Sequence, residues 1–571
     1  MIKRIKIGMG SCGIAAGADE VFDYFNNNLQ DTEIVPVGCI GHCYAEPIVE
    51  VETENGSYFF EHVEPTKDDL EKIIDIAPDR QFGFHQDRKE KEVLKVSKLS
   101  GRIIPTSLEE YQKHGGYQAL EKVLQDKPEN VLAEVKESGL RGRGGGGFPT
   151  GIKWKLLAAK DDKTKILICN ADEGDPGAFM DKSLMESVPH QVMEGMLIGA
   201  YATGASQIFI YVRAEYPRAI ENLSIAIDQI LENKINVIKG REIKIKIKEG
   251  AGAFVCGEET AMIHSLEGKR GMPRYRPPYP TDKGFKGHPT VINNVETFAN
   301  IPIVINEGAG EYARVGTEGS KGTKLFALAG DVKYTGIVEV PMGITIGEVV
   351  YDIGGAQKGS VKAVQIGGPS GGCIPVEHFD TPIDYDSLNS LGAIMGSGGL
   401  IVIGKNRCMV ETARYFLDFT ARESCGKCTF CRIGNMRLLE TLEKITTGKG
   451  TPEDINLLED LGPKIVDGSL CGLGQTAPNP VLSTLRFFRD EYKAHVENKK
   501  CPALICNDLV RIDVAKETCI ECMACVKTCP VDAISDEIII DHLKCTRCNS
   551  CIEVCPVDAI SRIPLKGEKN E

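Results

Sequence analysis

Near its C-terminus the chain carries one cysteine pattern twice: Cys519-x2-Cys522-x2-Cys525-x3-Cys529-Pro530, then Cys545-x2-Cys548-x2-Cys551-x3-Cys555-Pro556, each ending in CPVDAIS. Three cysteines so spaced sit on one tight loop and can offer thiolates to three corners of a cubane iron–sulfur cluster. The fourth corner is filled by the cysteine before proline in the other repeat. The expected sets are therefore Cys519, Cys522, Cys525 and Cys555 for one 4Fe-4S cluster, and Cys545, Cys548, Cys551 and Cys529 for its neighbour. Zinc knuckles compete as a reading of eight cysteines, but zinc sites rarely run three closely spaced cysteines in duplicate. A segment built this way moves single electrons.

The pattern is that of a two-cluster ferredoxin, and it occupies only the tail of a chain of 571 residues. That length allows roughly four domains. The net charge of −14 disfavours nucleic acid or an anionic membrane as partner and suits solubility or an electron-transfer surface. Most of the 21 cysteines fall in cluster spacings, so a reduced cytoplasm is the expected compartment rather than a disulfide-forming one. The opening MIKRIKIGMGSCGIAAGA imitates a signal peptide, yet glycines interrupt it and it runs into Asp19 and Glu20; a first strand is expected there. No run reaches the roughly 18 apolar residues of a membrane span. The nearest, Leu391 to Gly404, is short and rich in glycine.

The pattern of apolar residues predicts a multidomain α/β protein. Residues 1–95 form a small α/β unit, with strand KIKIG, a helix over Glu20 to Leu29, strand EIVPVG and a closing charged run, DRKEKEV. Residues 96–320 alternate strands such as KILICN and QIFIYV with helical stretches, as a mostly parallel sheet does; Lys244 to Lys248 alternates strictly, a strand with one wet face. Residues 321–404 are short β-prone segments with one helix-like stretch, Ile346 to Ile353, suggesting a β-grasp-like insert. Residues 405–507 are helical, through ETARYFLDFTARES, MRLLETLEKITTG and LSTLRFFRDEYKAHVENKK, and the ferredoxin domain fills 508–571.

A second constellation is GLRGRGGGGFPTGIKW, Gly139 to Trp154. Its Gly142-x-Gly144-x-x-Gly147 matches the dinucleotide fingerprint, a weak signal by itself. Residues without Cβ let backbone approach a flat ring or a phosphate, and loop N–H groups bind anionic oxygens. Arg143 and Lys153 add positive charge. In NADEGDPGAF, Asn170, Asp172 and Glu173 end a strand, a placement suited to ribityl or ribose hydroxyls. GAGAFVCGEET offers Gly257, Glu258 and Glu259 at a helix start, and VINNVET offers Asn293, Asn294 and Thr297. A nicotinamide nucleotide delivers two electrons as hydride while clusters accept one at a time, so a flavin is expected between them.

These four segments resemble the NADH-oxidising flavin subunit of respiratory complex I. With the N-terminal unit and the ferredoxin tail, the whole chain is similar to the flavin subunit of soluble, NAD-linked, electron-bifurcating FeFe-hydrogenases. The resemblance implies a thioredoxin-like N-terminal unit and a Rossmann-like domain with FMN held by Gly142, Arg143, Gly144, Lys153, Asn170, Asp172, Glu173, Gly257, Glu258, Asn293, Asn294 and Thr297. It implies NADH stacking near Phe148, with Glu259, Arg276 and Tyr279 around the nucleotide. The chain departs from the complex I pattern at Phe254, commonly Tyr, Asp175, commonly Glu, and Arg276, commonly Lys. Glu173, Asp175, Glu258 and Glu259 make the 2′-phosphate of NADP costly unless an arginine answers it.

Cys425, Cys428 and Cys431, with remote Cys471, form a third 4Fe-4S set, in the family the cluster nearest the flavin. Cys12, Cys39 and Cys43 resemble a thioredoxin-like 2Fe-2S module that lacks one cysteine, Gly17 standing in its place. Either another group supplies the fourth ligand or the cluster is absent. His495, Cys501 and Cys506 have a loose zinc spacing with Cys408 as a fourth donor; buried free thiols and a surface histidine are the alternative. Cys169, Cys256 and Cys373 read as packing thiols and His264 as structural.

The chain is thus expected to be a diaphorase subunit that uses NAD(H), FMN and three 4Fe-4S clusters, with a 2Fe-2S cluster and zinc as open additions. Hydride transfer needs no acid–base residues, so no catalytic side chain is assigned. A chain of this kind needs iron–sulfur partner subunits: a hydrogenase-type catalytic subunit, a small 2Fe-2S subunit and a ferredoxin. A formate dehydrogenase or transhydrogenase complex is the alternative enzyme setting, and a non-catalytic electron-transfer scaffold the alternative of another class.

Overall fold

The computed structural model describes residues 2–29, 31–76 and 90–565. The start of the charged run DRKEKEV lies outside the described residues. The chain divides into two compact units, Met1–Ile403 with Leu470–Leu473, and Gly404–Ser469 with Gly474–Glu571.

The first unit holds three main sheets. β1 (Ile2–Gly8), β2 (Glu33–Val37), β3 (Val49–Thr53) and β4 (Gly56–Phe60) form a sheet of order β2-β1-β3-β4, in which β1 runs parallel to β2 and antiparallel to β3. Ile5, Ile7, Val49 and Val51 share a core with α1 (Ala18–Asn28), whose Ala18, Val21 and Phe25 are buried. The stretch that imitates a leader begins with an inner strand of this sheet, Ile2–Gly8, and goes on into a short helix, Ser11–Ala15.

β5 (Lys165–Ala171), β6 (Ala205–Arg213), β7 (Lys244–Gly250) and β8 (Thr290–Asn294) pair in the order β8-β5-β6-β7, parallel throughout. The lysines of β7 are exposed at the sheet edge while Ile245 and Ile247 pack inward. A helix that is apolar all round belongs in the middle of a core. α2 (Pro189–Thr203) is one, with every residue but Tyr201 buried. Its buried Glu194 accepts hydrogen bonds from Tyr117 N at 3.0 Å, Leu120 N at 3.1 Å and Tyr111 Oη at 2.6 Å, so the charge is answered by donors rather than by water.

The third sheet runs β10-β9-β13-β11-β12, from β9 (Thr323–Gly330), β10 (Gly336–Pro341), β11 (Val361–Ile366), β12 (Gly372–Pro375) and β13 (Gly399–Gly404). The helical stretch expected here is a π-helix, Glu348–Ile353, which buries Val349, Val350 and Ile353.

The second unit is helical before its tail: α3 (Met409–Arg422), α4 (Asn435–Thr446), α5 (Pro452–Gly468), α6 (Asn479–Phe487) and α7 (Arg489–Glu497) share one apolar core. The single helical run expected over LSTLRFFRDEYKAHVENKK is two helices. Phe488 leaves helical geometry at φ −128°, ψ 33°, and Asp490 and Glu491 then start α7, where carboxylates suit the positive end of a helix. In the tail β14 (Val510–Val514) pairs antiparallel with β15 (Ile560–Pro564), and α8 (Ala524–Thr528) and α9 (Ser550–Glu553) carry the third cysteine of each loop.

Candidate flavin site and cysteine clusters

The glycine loop lies between β8 and residues of the third sheet's connections, and is closed on itself by Gly142 N donating to Phe148 O at 2.9 Å. Tyr385 holds it from the far side, donating from Oη to Gly142 O at 2.8 Å. Two glycines have no substitute there. A Cβ on Gly144 would stand 2.9 Å from Cβ of Asn294, and Gly147, at φ +59°, would drive one into the Tyr385 ring at 2.7 Å. Around Gly146 the space is open.

Arg143 is fully buried. Its backbone N donates to Thr297 Oγ1 at 2.8 Å, and Nη2 reaches Tyr312 Oη at 3.3 Å and Lys321 O at 2.5 Å. Nε and Nη1 have no hydrogen-bond partner among the described residues. Buried polar atoms are normally satisfied, so a fixed cation with two spare donors, behind a loop of glycines, fits an anionic ligand such as the phosphate-bearing FMN.

Several of the expected residues come together. Asn170 Nδ2 donates to Gly257 O at 2.9 Å, and Trp154 Nε1 donates to Asn293 Oδ1 at 2.9 Å. Lys153 Nζ pairs with the Glu259 carboxylate and donates to Ile292 O at 2.7 Å; Arg276 Nη1 lies 3.8 Å from Glu259 Oε2. Phe148 and Tyr279 are about half exposed, at 52% and 54%, available for stacking. Glu258 has a task that its spacing does not reveal: its Oε2 accepts from Thr260 N and Ala261 N, both at 2.9 Å, as N-cap of the helix Glu259–Leu266. His264 is structural, its Nδ1 donating to Met272 O at 2.6 Å. Cys169, Cys256 and Cys373 are buried.

Buried carboxylates gather behind these residues. Glu173 accepts from Asp181 N and Lys182 N, both at 3.0 Å, and burial pushes its carboxyl up to about 7. Asp175, only partly buried, accepts from Ser397 Oγ at 2.6 Å, and desolvation pushes it up to about 6. Two acids join them that sequence reasoning missed: Asp181, which accepts from Asn294 Nδ2, and Glu296, ion-paired with buried Lys324. Glu296 lies inside the VINNVET segment, so its position is visible in the sequence; its partner, 28 residues on, gives no signal.

In the tail the crossed cysteine sets are spatial. Cys545, Cys548, Cys551 and Cys529 line one cavity, and Cys519, Cys522, Cys525 and Cys555 another. Ala533 N donates to Cys529 Sγ and Ala559 N to Cys555 Sγ, each at 3.2 Å, the same bond in both repeats. In the second unit Cys431 is buried, with Ser424 Oγ 3.2 Å from its sulfur, and Cys425 and Cys428 are partly exposed; Cys471 is buried on the 470–473 segment of the first unit.

Cys408, His495, Cys501 and Cys506 come together, all buried, with donor atoms within 4.8 Å of one another. His495 is fully buried, which removes the surface histidine of the alternative reading. Its Nδ1 faces Glu491 O at 2.7 Å and must donate to it, which leaves the Nε2 lone pair toward Cys506 Sγ at 3.3 Å and Cys408 Sγ at 3.5 Å. Cys12, Cys39 and Cys43 likewise lie within 4.8 Å of one another.

The chain is similar to known proteins over most of its length. Residues 135–303 match the Nuo51 FMN-binding domain, residues 411–495 the NADH-ubiquinone oxidoreductase-F iron-sulfur binding region, which takes in Cys425, Cys428, Cys431 and Cys471, and residues 512–535 and 538–561 the 4Fe-4S binding domain. The chain is 51% identical to NADP-reducing hydrogenase subunit HndC of Solidesulfovibrio fructosivorans over 453 residues, 78% of this chain and 92% of that protein. It is 44% identical to the F 2 subunit of NADH-quinone oxidoreductase from Rhizobium meliloti (strain 1021), over 69% of this chain and 96% of that one. Among solved structures, a chain of an NAD+-reducing [NiFe]-hydrogenase in the H2-reduced state superposes with a TM-score of 0.64 at 31% identity, covering 87% of this chain and 85% of that one. No helix among the described residues is long and apolar enough to cross a membrane. The matched FMN domain, the iron–sulfur regions and the extent of identity together place the chain in the family of NAD(P)H-oxidising flavin subunits of complex I and hydrogenase-type complexes.

Proposed function

We propose that this chain is the diaphorase subunit of a soluble, cytoplasmic, electron-bifurcating hydrogenase complex. NADH would be oxidised in the first unit and electrons would leave through three 4Fe-4S clusters. The observation that carries the reading is the buried Arg143 with two unpartnered nitrogens behind a glycine loop, in a chain that also gathers crossed cysteine quartets. FMN bound there converts two-electron hydride chemistry into the one-electron transfers that clusters accept.

The Arg143 side chain and the loop N–H groups from Gly144 to Gly147 would hold the phosphate, with Gly144 giving room for the approach. Asn170, Asp172 and Glu173 would face the ribityl hydroxyls, and Asn293, Asn294 and Thr297 would fix the floor of the site. Lys153 would balance Glu259 until the nicotinamide nucleotide arrives, with Phe148 and Tyr279 closing over it. Cys425, Cys428, Cys431 and Cys471 would hold the first cluster and the tail cysteines the other two. Cys408, His495, Cys501 and Cys506 would hold structural zinc.

Partner subunits with clusters of their own would carry the terminal catalytic site. The extent of identity to a hydrogenase chain supports that setting over a formate dehydrogenase or transhydrogenase. A non-catalytic scaffold is disfavoured because Lys153, Glu173, Glu258, Asn293 and Asn294 are all present. The test is purification of the chain with flavin supplied: one FMN per chain, bleached by NADH, is expected. Protein that retains FAD or no flavin contradicts the reading.

A further inference from the structure

The N-terminal cysteine trio does not have the shape of a two-iron site. A 2Fe-2S cluster presents its irons at opposite ends of a rhomb and needs its ligands in two separated pairs, so a third sulfur must stand well away from the first two. Here all three sulfurs lie within 4.8 Å of one another, and Cys12 Sγ and Cys39 Sγ are 3.4 Å apart. A single tetrahedral ion, at about 2.3 Å from sulfur and about 2.0 Å from oxygen, sets donor–donor edges of about 3.8 Å for sulfur pairs and about 3.5 Å for sulfur with oxygen. The observed spacing fits that ion.

A carboxylate stands beside one sulfur of the trio, outside the 4.8 Å group that the three sulfurs form. Glu46 Oε1 lies 3.6 Å from Cys12 Sγ, while Oε2 accepts from Ile48 N at 3.0 Å. The residue is only 6% exposed, and no ion pair with a basic side chain meets it among the described residues. A buried carboxylate without a cation is costly, and such groups are commonly paired or metal-bound. The pocket is shaped to admit it: a Cβ on Gly8 would stand 3.3 Å from Glu46 Oε2 and one on Gly13 3.1 Å from it. Gly17, where the two-iron pattern wants a fourth cysteine, turns the chain at φ +97° with nothing within 4 Å of its missing Cβ. Gly41 N donates to Cys39 Sγ at 3.2 Å, and Cys39 N is held by Ser187 Oγ at 3.1 Å, so the sulfur is oriented from outside the trio.

We propose that Cys12, Cys39 and Cys43 bind one zinc ion, with the Glu46 carboxylate turning from Cys12 to close the fourth position, and that this ion pins the N-terminal sheet and carries no electrons. Binding releases the thiol protons to solvent and changes no oxidation state. The site is separate from the one at Cys408, which different variants report.

The experiment is metal and acid-labile sulfide analysis of the full chain after reconstitution with iron, sulfide and zinc, for wild type, Cys43→Ser and Glu46→Gln. Cys43→Ser should lose one zinc per chain with iron, sulfide and FMN unchanged, whereas Cys501→Ser should lose the other zinc. Glu46→Gln should release zinc to EDTA about tenfold faster than wild type. Loss of two irons and two sulfides in Cys43→Ser, or no change of metal, overturns the proposal; an unchanged release rate in Glu46→Gln overturns the carboxylate's role. Should Cys43→Ser fail to fold, dithionite-reduced wild type decides: a two-iron paramagnetic signal contradicts the site, and its absence with zinc bound and displaceable by Co2+, giving thiolate-to-cobalt charge-transfer bands that Glu46→Gln shifts, supports it.

Discussion

Lys153, on the helix that follows the glycine loop, and Glu259, 106 residues apart, form an ion pair, and Arg276 approaches the same carboxylate at 3.8 Å. The family resemblance gives the lysine to the flavin and the glutamate to the nucleotide; the structure joins them. One negative charge shared by two cations offsets one of them and competes with an added phosphate for both. Glu259→Gln should release both. The NADPH to NADH ratio of kcat/KM is expected to rise about tenfold, ~1.4 kcal/mol, a reasonable Coulomb gain for one charge at partly exposed distance. A ratio that stays fixed or falls shows that coenzyme choice is made elsewhere, which matters because one relative is named as NADP-reducing.

The buried acids give the site a pH dependence. Asp175 at about 6 and Glu173 at about 7 hold their protons above the ordinary carboxylate range because burial disfavours charge. The folded state therefore binds more protons than the unfolded chain between roughly pH 4 and 7, and the stability these groups contribute falls as pH rises through that window. Repulsion of the anionic nucleotide grows in the same direction. KM for NADH should climb as pH passes about 6, and Asp175→Asn should flatten the rise and lower KM by about threefold at neutral pH. A pH profile identical to wild type would detach Asp175 from nucleotide binding.

Much of this is legible in the sequence because the chemistry sits in short runs. The cysteine repeats alone say which sulfurs share a cavity, since the crossed ligation follows from spacing. β1, β5 and β6 are readable as apolar runs, and the core buries them. What stays hidden are pairings over long separations: Lys324 with Glu296, Tyr385 beneath Gly147, Glu46 beside Cys12. None leaves a local pattern, because a single lysine, tyrosine or glutamate has many possible partners and only the fold chooses one. Phe488 is hidden for another reason: apolar spacing continues across it, while the backbone does not.

For the four-donor set in the second unit, zinc should be present at one ion per chain beyond any bound by the N-terminal trio, and Cys501→Ser should remove it. Cys408, at the start of α3, and His495, on α7, meet at that set, so loss of the ion should speed hydrogen exchange in α7. Zinc-free protein with full activity and unchanged exchange would leave buried thiols and a buried histidine as mere packing.

The central claim is that electrons pass from the flavin through the Cys425, Cys428, Cys431 and Cys471 cluster to the tail. The most direct measurement is electron paramagnetic resonance of NADH-reduced Cys428→Ser and Cys548→Ser proteins, whose FMN content and fold have been checked. Cys428→Ser should keep FMN and its bleaching by NADH, while the tail clusters stay oxidised and silent. Cys548→Ser should show a reduced Cys425 cluster and impaired delivery to ferredoxin. Normal reduction of both tail clusters in folded Cys428→Ser that has lost its own cluster would contradict the account and mean that electrons leave the flavin by another route.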